Sequence, residues 1–128
     1  MRSAFLLSTE PGLFDAIYRA GPRPITDPPV EDMLQYHDER FRLLTVYGET
    51  WPALLGFPPL PAVTRWAGAC EPPNTAELTT CYVECRWKDV LCHWVKYVAD
   101  HLDTPLWVLD SAGVLWPAKD IDPDELAL

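Results

Sequence analysis

The stretch "CYVECRWKDVLCHW", residues 81 to 94, places Cys81, Cys85, Cys92 and His93 within fourteen positions. Two kinds of chemistry use such residues. Thiolates and imidazoles bind zinc, and a cysteine beside a cation or a helix start can lose its proton early and act as a nucleophile.

Geometry decides between these uses and a plain core, and the flanking residues set the geometry. From Leu78 to Cys85, "LTTCYVEC" is rich in β-formers and alternates Thr79, Cys81, Val83 and Cys85 against Leu78, Thr80, Tyr82 and Glu84. This predicts a strand whose uncharged cysteine side faces inward. From Trp87 the period changes. Trp87, Val90, Leu91, Trp94, Val95, Val98 and Leu102 share one side of a helix, and Asp89, His93, Lys96 and Asp100 take the other. Asp89 in the first turn and His101 in the last suit the helix dipole, and "DTP" at 103 to 105 is a stop.

A strand rises about 3.3 Å per residue, so Cys81 and Cys85 should stand about 13 Å apart, too far to share one ion. Cys92 is expected at the margin of the apolar stripe and His93 on the solvent side. The cysteines therefore read as core thiols, with no metal and no cofactor expected. Cys85 retains features of a nucleophile, since it precedes the helix and Arg86 follows it, but no His or Asp is placed by sequence to serve as its base. "YHDER" around His37, and Asp100 beside His101, could hint at acid–base work. Neighbouring charges along a chain diverge, so both read as solvated faces or local caps. The sequence has no Gly-rich phosphate loop, G-x-S-x-G elbow or H-E-x-x-H helix. No catalytic residue is assigned, and the balance leans against an enzyme.

The elements around this segment complete the expected fold. "PLWVLD" and "VLWPA" flank "SAG", a hairpin signal, and the consecutive apolar residues Leu106 to Leu109 call for contact on both faces of the first arm. Residues 76 to 118 thus read as strand, helix, strand, strand. Upstream, Leu13, Phe14, Ile17 and Tyr18 lie at helical spacing, with Ser8 and Thr9 as candidate caps and Gly21 at the end. "PRPITDPP" must run extended. For "VEDMLQYHDERFRLLTVYG", Val30, Met33, Leu34 and His37 predict a helix to about residue 37, followed by a strand ending near Gly48. A helical turn is expected at 52 to 55, within a long proline-broken loop. The whole is expected to form one α+β domain over residues 1 to 128, a helix packed on a small sheet, with an acidic tail from about 119.

With 128 residues and 48% apolar content the chain has material for one modest core. The run "AFLL" near the start is too short for the apolar centre of a secretion leader, and no stretch approaches the roughly 20 apolar residues of a membrane span. A cytoplasmic setting with reduced thiols is the expectation. Ten Lys and Arg against nineteen Asp and Glu give a net charge of -9. That argues against nucleic acid and anionic membranes as partners. Residues 65 to 128 hold five basic and eleven acidic side chains, several of the acids in "AKDIDPDELAL".

Size, acidity, six tryptophans and the missing catalytic set point to an interaction protein. The concrete form is an inhibitor or immunity protein that neutralises a basic toxin or enzyme, steered by charge and anchored by aromatic residues. On this reading Asp120, Asp122, Asp124 and Glu125 attract the partner and Trp116 anchors it, while Asp89, Lys96 and Asp100 form a second candidate surface. Trp87, Trp94 and one of the hairpin tryptophans are expected in the core, and some of Trp51, Trp66 and Trp116 are expected to stay partly exposed. The alternatives are a small cysteine- or metal-dependent enzyme using Cys85, Cys92 or His93, and a structural subunit of a larger assembly such as a phage particle.

Overall fold

The computed structural model describes residues 2–25, 27–29, 31–48, 56, 59–68 and 74–128. The run "AFLL" is the middle of a strand, β1 (Ser3–Ser8). It is buried on both sides, which is why it reads as an unbroken apolar run without alternation. Helix α1 (Leu13–Ala20) follows, with Leu13, Ala16 and Ile17 inward. Its N-cap is Gly12 with no side-chain cap, so the expected capping by Ser8 or Thr9 does not occur. Ser8 instead ends β1 fully buried, its hydroxyl donating to the Pro105 carbonyl at 2.6 Å and accepting from the Glu10 N–H at 3.1 Å. Gly21 closes the helix by donating to the Ile17 carbonyl, and an added Cβ there would lie 2.8 Å from that oxygen.

The helix expected to run to residue 37 is a strand, β2 (Met33–His37). Leu34 and Tyr36 are buried while Met33, Gln35 and His37 face outward, and Leu34 pairs with Val46, Tyr36 with Leu44. A period of two fits this stretch as well as a helical one, and pairing with β3 (Leu43–Tyr47) selects it. Val30, the expected helical turn at 52 to 55, Trp51 and Cys70 lie outside the described residues. Beyond the loop, the short β4 (Arg65–Trp66) pairs in parallel with a later strand.

Strand β5 (Thr79–Cys85) and helix α2 (Lys88–His101) realise the change of period read at Trp87. Leu91, Trp94, Val95 and Val98 are buried, and Cys92 and Ala99 widen that face. The hairpin follows as β6 (Leu106–Leu109) and β7 (Val114–Pro117). Gly113, at φ 81° in its turn, has the Ala62 carbonyl and Thr64 hydroxyl within 2.9 Å of where a Cβ would stand, so a side chain is excluded on both counts.

The strands form one seven-stranded sheet in the order β2-β3-β5-β1-β6-β7-β4, antiparallel except for the β4–β7 pair. Both helices and the C-terminal segment cover one face, where Leu6, Ile17, Val83, Val95, Val98 and Ile121 share the main core. Phe5, Leu7, Tyr82, Leu109 and Leu115 form a smaller core on the other face, closed by Leu60 and Val63. The fold is α+β, mostly sheet with helix packed on it, as the strand-helix-strand-strand reading requires. Among the described residues no helix is long and apolar enough to cross a membrane.

Candidate functional site

Burial settles the state of the cysteines. Cys81, Cys85 and Cys92 are each at most 3% exposed within the main core. The Cys85 thiol donates to the Trp87 carbonyl at 3.3 Å. Burial pushes its pKa up, outweighing the opposing backbone hydrogen bond and the Arg42 charge. Burial likewise pushes Cys92 to about 11. A nucleophilic thiol needs the opposite shift, so Cys85 gains nothing from standing before a helix. Among the described residues, no three His, Cys, Asp or Glu side chains are grouped to hold a metal ion.

The C-terminal acids sit on a folded segment. Ile121 and Leu126 are buried in the core, while Asp120, Asp124 and Glu125 are exposed. Asp122 is half-buried and accepts from the Asp124 N–H at 2.9 Å, so part of its charge serves the local turn. Trp116, expected as a partly exposed anchor, is 5% exposed. Its indole N–H donates to Asp110 at 3.0 Å, and β7 turns that ring into the helix-covered core. Trp66 is the exposed tryptophan among those described, at 47%.

Asp89, Lys96 and Asp100, expected as one surface, are all exposed on α2 but serve different surroundings. Asp89 lines a groove beside the helix, and Lys96 and Asp100 do not. This groove, about 630 Å³ in volume, lies between α2 and the end of the β2–β3 hairpin. Tyr36, Asp38 and Arg42 line it from the hairpin, and Asp89, His93 and Trp94 from the helix. A cavity of this size suits one ligand group or an inserted side chain.

Arg42 ties the two walls together. It donates to Asp38 through Nε at 2.7 Å and lies 2.7 Å from Asp38 and 3.0 Å from Asp89 through its terminal nitrogen. Asp38 also accepts from the Arg40 and Arg42 backbone N–H groups, both at 2.9 Å, which shapes the hairpin turn. The Arg42 backbone bond leads in holding the Asp38 carboxyl below its ordinary range, and the Arg42 side chain does the same for Asp89. Asp38 is a local cap, as the reading of "YHDER" allowed. The reach of Arg42 across to Asp89 has no cue at the sequence level.

At the tip of this turn stands Phe41, 80% exposed. Its φ is 58°, a left-handed conformation that costs a bulky residue about 1–3 kcal/mol. The Phe41 N–H donates to the Asp38 carbonyl at 3.0 Å, and its ring lies 5.2 Å from that of His37. On the helix, Tyr97 is exposed and stacks on His101 with ring centroids 4.3 Å apart. At the base of the groove Tyr36 and Trp94 pack with centroids 5.4 Å apart. The sequence offers Tyr36 as an alternating core residue and Trp94 as part of the helix stripe, and gives no sign that they meet.

Comparison with protein-family models, with curated proteins and with solved structures finds no match to this chain. The functional reading therefore rests on the site itself.

Proposed function

We propose that the chain is a binding protein that acts as an inhibitor or immunity protein, neutralising a basic toxin or enzyme by docking the face formed by the β2–β3 tip and α2. The observation that carries this reading is Phe41. A large apolar ring is held almost wholly in water, on a backbone conformation that costs free energy, in the turn whose His37, Asp38, Glu39 and Arg42 line a groove. Aromatic residues in such positions supply binding energy when a partner covers them.

The charge of the chain supports a basic partner. At -9 the whole molecule attracts cations at long range, and the exposed Asp120, Asp124 and Glu125 add to that field wherever the final contact forms. Cys85 and Cys92 as free thiols suit a reducing compartment, and the cytoplasm is the setting we assign.

The test is affinity capture from the native host with the wild-type chain and Phe41→Ser in parallel. We expect the wild type to retain a basic protein, Phe41→Ser to lose it, and co-expression of the wild type to suppress that protein's toxicity or enzymatic activity. Equal retention by both chains, or a captured protein whose activity is untouched, sinks the reading. Sedimentation of the purified chain as a defined oligomer would favour the self-assembling subunit instead.

A further inference from the structure

Two hydrogen-bonding groups at the base of the groove have no partner among the described residues. Tyr36 is 4% exposed and Trp94 5%, both line the groove, and neither the Tyr36 hydroxyl nor the Trp94 Nε1–H makes a hydrogen bond to any of them. Each such unpaired buried group costs about 1–3 kcal/mol. The indole can only donate. The phenol keeps its proton because burial raises its pKa beyond the ordinary tyrosine range, so it too offers a hydrogen. Two adjacent donors call for an oxygen acceptor.

The rim limits what may carry that oxygen. Arg42 is taken up by Asp38 and Asp89 and Arg23 lies 3.6 Å from Asp27, so that with Glu39 the side chains lining the groove keep an excess of negative charge. A carboxylate would meet that excess. A cationic head could donate to the Tyr36 oxygen but would face the Trp94 N–H, which cannot accept. An uncharged carbonyl suits both, and the rings of Trp94, Tyr97 and His93 along one wall suit a flat apolar group attached to it.

We propose that the groove receives an uncharged amide of the protein partner, its carbonyl oxygen accepting from the Trp94 indole N–H and the Tyr36 hydroxyl, with a flat apolar group lying against Tyr97 and His93. This deepens the binding-protein reading and rests on it. Both polar atoms are covered in the free protein, so entry requires the wall to shift. Pro22 and Arg23, on the extended connector after α1, and Asp38, Glu39 and Arg42, in the β2–β3 turn, are the parts of the wall outside helix and strand.

The test uses three small probes that share a benzyl body: phenylacetamide, phenylacetate and phenethylamine. The indole N–H resonance of Trp94 in the ¹⁵N-labelled chain is assigned by its loss in Trp94→Phe, and each probe is titrated against it. Phenylacetamide should shift this resonance downfield and bind more tightly than either charged probe. Tyr36→Phe should weaken phenylacetamide by about two- to tenfold, the worth of one hydrogen bond, without lowering the melting temperature. The proposal is overturned if phenylacetamide leaves the resonance in place, if a charged probe binds more tightly, or if Tyr36→Phe binds the amide as well as wild type. The titration contains no partner, so its failure beside Phe41-dependent capture removes the amide pocket alone. Capture independent of Phe41, beside a positive titration, removes the partner reading alone.

Discussion

Two tryptophans buried to the same degree, Trp116 and Trp94, stand in opposite polar settings. The indole of Trp116 donates to Asp110, a carboxylate 1% exposed that also accepts from the backbone N–H groups of Ala112, Val114 and Ala127. That network closes the β6–β7 turn, fixes a ring and holds the end of the chain in one stroke. The indole of Trp94 has no acceptor among the described residues. A satisfied buried carboxylate is a structural part, whereas unsatisfied donors beside a cavity are a liability in the isolated fold and an asset once something fills it.

Mutations that break the two settings should therefore differ in kind. Asp110→Ala strands four donors at once and should destabilise the chain by about 3 kcal/mol or more, read as a lower midpoint in chemical denaturation. Trp116→Phe removes one hydrogen bond to a charged acceptor and should cost about 1.5–3 kcal/mol from that loss, with ring volume in addition. Trp94→Phe should cost the ring volume less the about 1–3 kcal/mol relieved by deleting an unpaired buried N–H, so Trp116→Phe should be the more destabilising of the two. If both lose the same stability, the contrast is wrong.

Acid should open the groove. The carboxyls of Asp38 and Asp89 titrate below the ordinary aspartate value of 3.8. Their stabilising contribution is present above the unfolded-state value and is lost as pH falls through the lower folded value. Amide exchange at Phe41 and Arg42, corrected for intrinsic rates, should rise in that range, and Arg42→Gln should show faster exchange already at neutral pH. Tyr36→Phe should cost no stability and should gain up to about 1–3 kcal/mol, because the buried hydroxyl it deletes has no partner among the described residues. A loss of 2 kcal/mol there would mean that the hydroxyl has a partner after all.

Much of the fold was legible where one period dominates. Cys81, Val83 and Cys85 against Leu91, Trp94, Val95 and Val98 mark the passage from strand to helix, and Leu106 to Leu109 signals a strand covered on both faces. The reading fails where periods coincide or vanish. Met33, Leu34 and His37 fit a helix as well as a strand, and only the ladder with Leu44 and Val46 decides. "AFLL" has no period because both of its faces are buried. The site was scarcely legible. Asp89 was marked as part of a surface, but the groove joins side chains from residues 36 to 42 with others from 89 to 97. Their meeting depends on β5 lying beside β3 and on the crossing of α2, neither of which any local spacing encodes. Trp116 was misjudged because its nearness in sequence to the acids says nothing of the strand face it occupies.

The position of β1 in the sheet has consequences for synthesis. Leu6 lies between Cys81 and Val108, so β1 waits until residues 106–109 have left the ribosome before both of its edges are covered. Ladders this remote in sequence make for slow folding and a long exposure of sticky edges. A nascent chain stalled before β6 has an apolar strand with one side open, and is then a substrate for chaperones.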